Sequence, residues 1–212
     1  MIFLLPVGGI VDPRFGIITT PGHKGVPIGI IAGMKWAADS QAFTQGFNAD
    51  IFFDWLWQLR VYLATCLFIP VPDVVGNARM TLDLFWQWWG RLHLWPLAFV
   101  AQDGQENLDF PPSEMWSTLF IGGTTKWKRS HASIECVERA QALDKRIHIG
   151  RVNWIDRYWM FAKLDGSEQF TCDGTRTRYD GTQRTVREWL NYIEQDKRQM
   201  RLPLFAAGAG SR

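Results

Sequence analysis

Apolar residues in this chain fall in short runs that stop abruptly at polar, hydrogen-bonding ones. Four runs stand out: GIIAGMKWAADSQAF (29–43), ATCLFIPVPDVVG (64–76), PLAFVAQDG (96–104) and STLFIGGTT (117–125). Each has the length and composition of a buried strand, and each precedes a stretch that can be helical. The pattern predicts strands near 28–36, 64–70, 97–101, 118–121, 146–151 and 167–172. Helices are predicted near 49–62, 77–92, 130–144, 154–163 and 182–199, with Ser130 or Ser133 capping the third. A short segment opened by Pro111-Pro112 replaces one helix. Residues 1–27 hold two further extended runs, 2–5 and 16–19, then the loop PGHKGVPIG; residues 203–212 read as a frayed tail.

Strands that alternate with helices pair in parallel. Six clear strands and the two short N-terminal runs predict an α/β fold, a compact and abridged TIM-like (β/α)8 barrel in a single domain spanning 1–212. The usual barrel needs about 250 residues, so some helices must be short or missing. A doubly wound open sheet is the alternative. In either case the C-terminal ends of the strands converge on one face, where such folds place their chemistry. Asp39, Asp73, Gln102, Asp103, Gly122 and Gly123 fall at those ends.

Composition narrows the picture only a little. With 47% hydrophobic and 21% charged residues the chain reads as globular. Twelve Trp and fourteen Phe are many, and core filling is their ordinary use. The net charge of +2 hides an asymmetry. Residues 1–121 carry six Lys/Arg against ten Asp/Glu, and the remainder seventeen against eleven. An acid-bearing pocket beside a phosphate-binding surface fits that division. Neither GxGxxG nor GxxxxGK[ST] occurs, so the standard dinucleotide and triphosphate cradles are absent. Cys66, Cys136 and Cys172 are far apart, which indicates neither a zinc site nor a disulfide framework. No apolar run nears the ~20 residues a membrane span needs. MIFLLPVGGI lacks a signal peptide's basic start, so a cytoplasmic setting is expected.

The motifs AADSQAF, PDVVG, AFVAQDG, FIGGT and HIGRVN, in this order, resemble the strand-end motifs of tRNA-guanine transglycosylases. They resemble still more the shorter phage DNA deazaguanine transglycosylases of the DpdA type. The resemblance spans roughly residues 30–176. It implies a TIM-like barrel that exchanges guanine in DNA for a 7-deazaguanine base. It also implies a phage-encoded enzyme in the host cytoplasm, whose product shields DNA from restriction nucleases. The tRNA relatives are dimers, so a homodimer is an open expectation. Their zinc-holding Cys/His cluster has no counterpart here, which favours the DNA-acting relatives. No cofactor, metal or membrane is expected.

The candidate residues suit that chemistry. Cleaving an N-glycosidic bond builds positive charge on the sugar, which a carboxylate stabilises or captures. Asp73 suits the two donors, N1–H and N2–H, on the edge of guanine. Gln102, or the backbone N–H groups of Gly122 and Gly123, suit its O6, with Asp103 adjoining. Asp39 takes the family's DSGGFQ-like position, written here DSQAF, and would assist proton transfer. The family's nucleophilic aspartate lies at the end of a late strand. Here that stretch reads EQFTCDGTRT, with Phe170-Thr171 where an Asp-Ser pair is expected, which makes Asp173 the first candidate nucleophile and Asp39 the next, should Asp173 serve only the DGT turn. Lys126, Lys128, Arg129, Arg151, Arg176 and Arg178 are the candidate phosphate contacts, with Trp127 or Tyr179 stacking on a base. His148 reads as a strand residue with a satisfied hydrogen bond. Two alternatives remain: base exchange or hydrolysis on a free nucleoside or deoxynucleotide, and a non-catalytic nucleic-acid-binding barrel.

Overall fold

The computed structural model describes residues 1–8, 11–40, 47–153, 155–165, 169–174, 184, 187–188, 190–192 and 194–195. Eight parallel strands close into a barrel in sequence order: β1 (Ile2–Pro6), β2 (Gly16–Thr19), β3 (Trp36–Ala38), β4 (Cys66–Pro70), β5 (Leu97–Ala101), β6 (Thr118–Ile121), β7 (Arg146–Ile149) and β8 (Phe170–Asp173). The helices are α1 (Ile28–Ile31), α2 (Ala49–Leu59), α3 (Ala78–Leu92), α4 (Thr125–Lys128), α5 (His131–Ala142) and α6 (Ile155–Ala162). The expected (β/α)8 architecture is therefore present, and the open sheet is excluded. It is abridged at 105–115, where two short 3-10 turns, Gln105–Asn107 and Ser113–Met115, replace a helix.

The chain forms two compact units, Met1–Thr175 and Arg176–Arg212. In the second unit the described residues are helical, with an exposed Arg184–Glu188 pair at 3.4 Å. They lie inside the predicted helix 182–199. Among the described residues no helix is long and apolar enough to cross a membrane.

Several boundaries moved. The run 28–36 is not one strand. Ile28–Ile31 forms a helical turn, and the chain reverses through Gly33 (φ +83°) before β3 starts at Trp36. Gly29 sits so close to Ile17 and Met34 that a side chain there would collide with them. β7 ends at Ile149, not 151, because Arg151 takes a left-handed φ of +60° that no strand continues through. Asn48 and Asn77 cap α2 and α3, accepting from Ile51 N at 3.1 Å and Met80 N at 3.0 Å. Ser130 holds the N-cap position of α5, but its hydroxyl turns back to Trp127 O at 2.7 Å.

Register positions the site. Phe120 pairs with His148, His148 with Thr171, and Thr171 with Ile2, forming one row inside the barrel. Phe68 of β4 reaches that row, its ring centroid 5.9 Å from Phe120 and 4.7 Å from His148. Each strand's next inward position is two residues further on, since side chains alternate across a strand. Gln102, Gly122, Gly150 and Asp173 therefore form the row above. A Cβ at Gly150 would meet the Phe120 ring at 2.8 Å, and one at Gly122 would collide with Gln102. Glycine at both positions leaves the larger neighbours room at the barrel mouth.

The outer core is aromatic. Phe99 is fully buried, with ring centroids 5.5 Å from Phe85, 5.8 Å from Phe110 and 6.1 Å from Trp116. Phe99→Ala should lower unfolding stability by about 3–5 kcal/mol through transfer and cavity costs. Urea unfolding followed by Trp fluorescence measures it; a loss under about 1 kcal/mol would mean the layer is not closely packed.

Candidate active site

The loop after β4, residues 71–77, is tied down at each turn. Val74 N donates to Thr81 Oγ1 at 3.0 Å, Gly76 N to Gln102 Oε1 at 2.9 Å, and Ala78 N to Asp103 O at 3.2 Å. This anchoring sets Asp73 over the mouth, where Gln102 Nε2 donates to its Oδ2 at 2.6 Å. Asp39 is exposed, one residue past β3, with its backbone N–H on Thr19 O at 2.8 Å. Burial, and then the charge of Asp39, push the Asp73 carboxyl up to about 6, against the opposing pull of Arg151 and Gln102. The expected pair Asp39 and Asp73 does share one patch.

Gln102 is fully buried, so its amide does not face an incoming base. Its Oε1 also accepts from Gly123 N at 2.8 Å, and Gly122 N donates to Ala101 O at 2.9 Å. The glycine N–H groups expected to meet a base oxygen are thus already bonded. The reason for glycine here is steric: Gly123 has φ +55°, and a side chain on it would collide with Trp127. Asp103 is likewise taken, by Thr124 N at 2.7 Å and Thr124 Oγ1 at 2.6 Å. These four residues build the wall that holds Asp73 rather than offering contacts of their own.

Asp173 closes the other side of the mouth. Its side chain is 18% exposed, and its Oδ1 lies 3.2 Å from His148 Nε2. The same oxygen accepts from Arg151 N at 2.9 Å. Burial pushes the Asp173 carboxyl up, but the bond and charge of His148, the Arg151 N–H and the charge of Lys128 outweigh it and hold the group below the ordinary carboxylate value. His148 is fully buried between the Phe68 and Phe120 rings, with Nδ1 2.9 Å from Thr171 Oγ1. A carboxylate only accepts, so Nε2 carries a proton in either charge state of the ring. Among the described residues Oδ2 of Asp173 makes no hydrogen bond. That arrangement presents one anchored and one available oxygen on an ionised carboxylate.

His148 is the expected strand residue with its hydrogen bonds satisfied, and one of those bonds, to Asp173, also makes it part of the site. The signal was parity, since it lies two residues before Gly150 and so shares the interior face. Phe170 and Thr171 are not vacancies in a motif. Phe170 is core, and Thr171 supports His148.

The basic candidates divide. Lys126, Arg129 and Arg151 are exposed. Lys128 cannot reach a phosphate: it is 2% exposed, with Nζ donating to Gly150 O at 2.9 Å. Trp127 is not a stacking platform either. It is buried, and its indole N–H donates to Glu106 Oε2 at 2.9 Å. Arg176, Arg178 and Tyr179 lie outside the described residues. A polar recess of about 390 Å³ lined by Trp116, Lys145 and Arg146 opens at the N-terminal ends of β6 and β7, away from every carboxylate above. No family model, curated protein or solved structure matches the chain.

The raised Asp73 pKa has a stability consequence. Between the unfolded value near 4 and about 6 the folded protein holds a proton that the unfolded chain has lost, so stability falls as pH rises through that window. Asp73→Asn lacks this term. Its Tm relative to wild type should therefore be higher at about pH 7.5 than at about pH 4.5. A pH-independent difference would mean that Asp73 ionises at its ordinary value.

Proposed function

We propose that this barrel is a DNA guanine transglycosylase, exchanging guanine for a 7-deazaguanine base by double displacement. The observation that carries the reading is Asp173, an ionised, partly exposed carboxylate with one oxygen anchored, facing a second acidic patch across the mouth. Asp173 Oδ2 attacks C1′ of the target nucleoside as the C1′–N9 bond breaks, its electron pair leaving with the guanine, which takes up a proton. Asp39 assists that transfer. The sugar is then held as an ester of Asp173, whose Oδ1 becomes the carbonyl oxygen. The incoming base attacks C1′ through N9, passing its N9 proton to Asp39, as the C1′–Oδ2 bond breaks and the Asp173 carboxylate is regenerated. Base exchange without net hydrolysis requires such an intermediate.

Asp73 is the reader of the base, accepting N1–H and N2–H in its ionised form. Gln102 acts behind it, fixing its orientation. Because Asp73 ionises near 6, base recognition should strengthen as pH rises through that value. Lys126, Arg129 and Arg151 are the candidate contacts to DNA phosphates. A stacked guanine lies out of reach of the mouth, so the target must be flipped out or single-stranded. The phage origin and the role in evading restriction rest on the motif resemblance alone.

One observation favours a second reading. With Lys128 and Trp127 turned inward, the described basic surface is smaller than expected. The same site would also serve exchange on a free nucleoside. Labelled guanine uptake, measured with duplex DNA, single-stranded DNA and deoxyguanosine, separates the two. DNA should take up label, and Asp173→Ala should lower the rate roughly a thousandfold or more. Uptake into nucleoside alone would replace the DNA reading. DNA binding with no uptake into any acceptor would leave a non-catalytic barrel.

A further inference from the structure

Two buried cations meet the loop that follows β7. Lys128, from α4, donates to Gly150 O at 2.9 Å. Arg157, from α6, donates through Nη1 to Arg151 O at 2.6 Å. Between these carbonyls Arg151 is held at φ +60°, a conformation that costs a residue with a side chain of order 1 kcal/mol or more. The same turn directs Arg151 N onto Asp173 Oδ1 at 2.9 Å, while Val152 N donates to Asp173 O at 2.6 Å. We infer that Lys128 and Arg157 are positioning residues for Asp173, gripping two successive carbonyls so that the intervening N–H is locked onto one oxygen of the carboxylate.

The inference rests on the reading of Asp173 as nucleophile. Its physical support is the cost of the arrangement. Both cations are buried, at 2% and 8% exposure, and among the described residues Arg157 Nε has no hydrogen-bond partner. Burial, and then the charges of Arg151 and Arg157, bring Lys128 down to about 8. Apolar side chains of similar volume would fill this space at lower cost. What they would not supply is a donor for each carbonyl. A strained backbone persists only where its surroundings over-determine it, and here they do so beside a reacting group. An N–H locked on Oδ1 favours the anion before attack. It stays bonded to the ester carbonyl afterwards, so no reorganisation is needed in the step.

The groups that bear on Asp173 are His148 from β7, Lys128 from α4 and the Arg151 N–H. Arg157 is not among them. Its charge depresses Lys128, so removing it leaves Lys128 no less charged, and an upward shift at Asp173 then reports the backbone contact. A carboxyl-labelled NMR titration of Asp173 in the full chain tests this whether or not the protein exchanges bases. In wild type the midpoint should lie below the ordinary aspartate value. Arg157→Gln should move it upward, and Arg157→Lys should restore part of the difference. Arg151→Gly keeps the N–H and relieves the strain, so it should leave the midpoint low, whereas Arg151→Val resists the left-handed turn and should raise it. If exchange occurs, Arg157→Gln should lower kcat roughly tenfold with KM for guanine little changed. An unmoved midpoint in folded Arg157→Gln would overturn the clamp, even with exchange intact. An upward shift in a protein that exchanges nothing would support the clamp and remove the transglycosylase reading.

Discussion

Closure of the barrel depends on the seam where β8 hydrogen-bonds to β1, with Ile2 beside Thr171 and Leu4 beside Asp173. An eight-stranded ring has no free edge, so the register at one seam constrains every other strand. This seam sets the height of Asp173 relative to Gly150, Gly122 and Gln102, and with it the level of the mouth. A two-residue slip would carry Asp173 out of reach of His148 and the Arg151 N–H, and a one-residue slip would turn its side chain out of the barrel.

That register also explains the two sides of the mouth. On one side an acid is destabilised as an anion: Asp73 is partly buried, near Asp39, and steadied by a neutral amide. On the other the acid is stabilised as an anion by an imidazole, a backbone N–H and a buried ammonium. Environments that drive carboxyl pKa values apart are how one pocket assigns different roles to chemically similar groups. Glycine at 122, 123 and 150 makes this possible, because larger residues there would displace Gln102, Trp127 or Phe120. The polar groups of the wall are bonded to one another.

Much of the fold was legible in the chain. The run at 97–101 is covered on both faces and that at 118–121 nearly so, which is why their apolar stretches mark the strands. The run 28–36 misled because a buried helical turn and a buried strand share one composition, and periodicity over so few residues does not separate them. In the site, Asp39, Asp73 and Asp173 were visible as carboxylates at strand ends. The roles of Gln102, Asp103, Gly123 and Lys128 were not. Each is decided by which neighbour claims its hydrogen bonds, and those neighbours lie 21 to 29 residues away in sequence for the side-chain bonds that matter most.

By itself, then, the sequence determined the alternation of strands and helices, the parallel barrel that follows from it, and the gathering of polar strand ends on one face. These depend on local pattern and on the geometry of chain connection. Only the tertiary structure decided which polar groups are available for chemistry and which are already satisfied. That question turns on hydrogen-bond partners and burial, and both come into being only when distant strands take their register. His148 shows the difference: as a letter it is one more strand residue, and in the closed barrel it is the imidazole that holds Asp173.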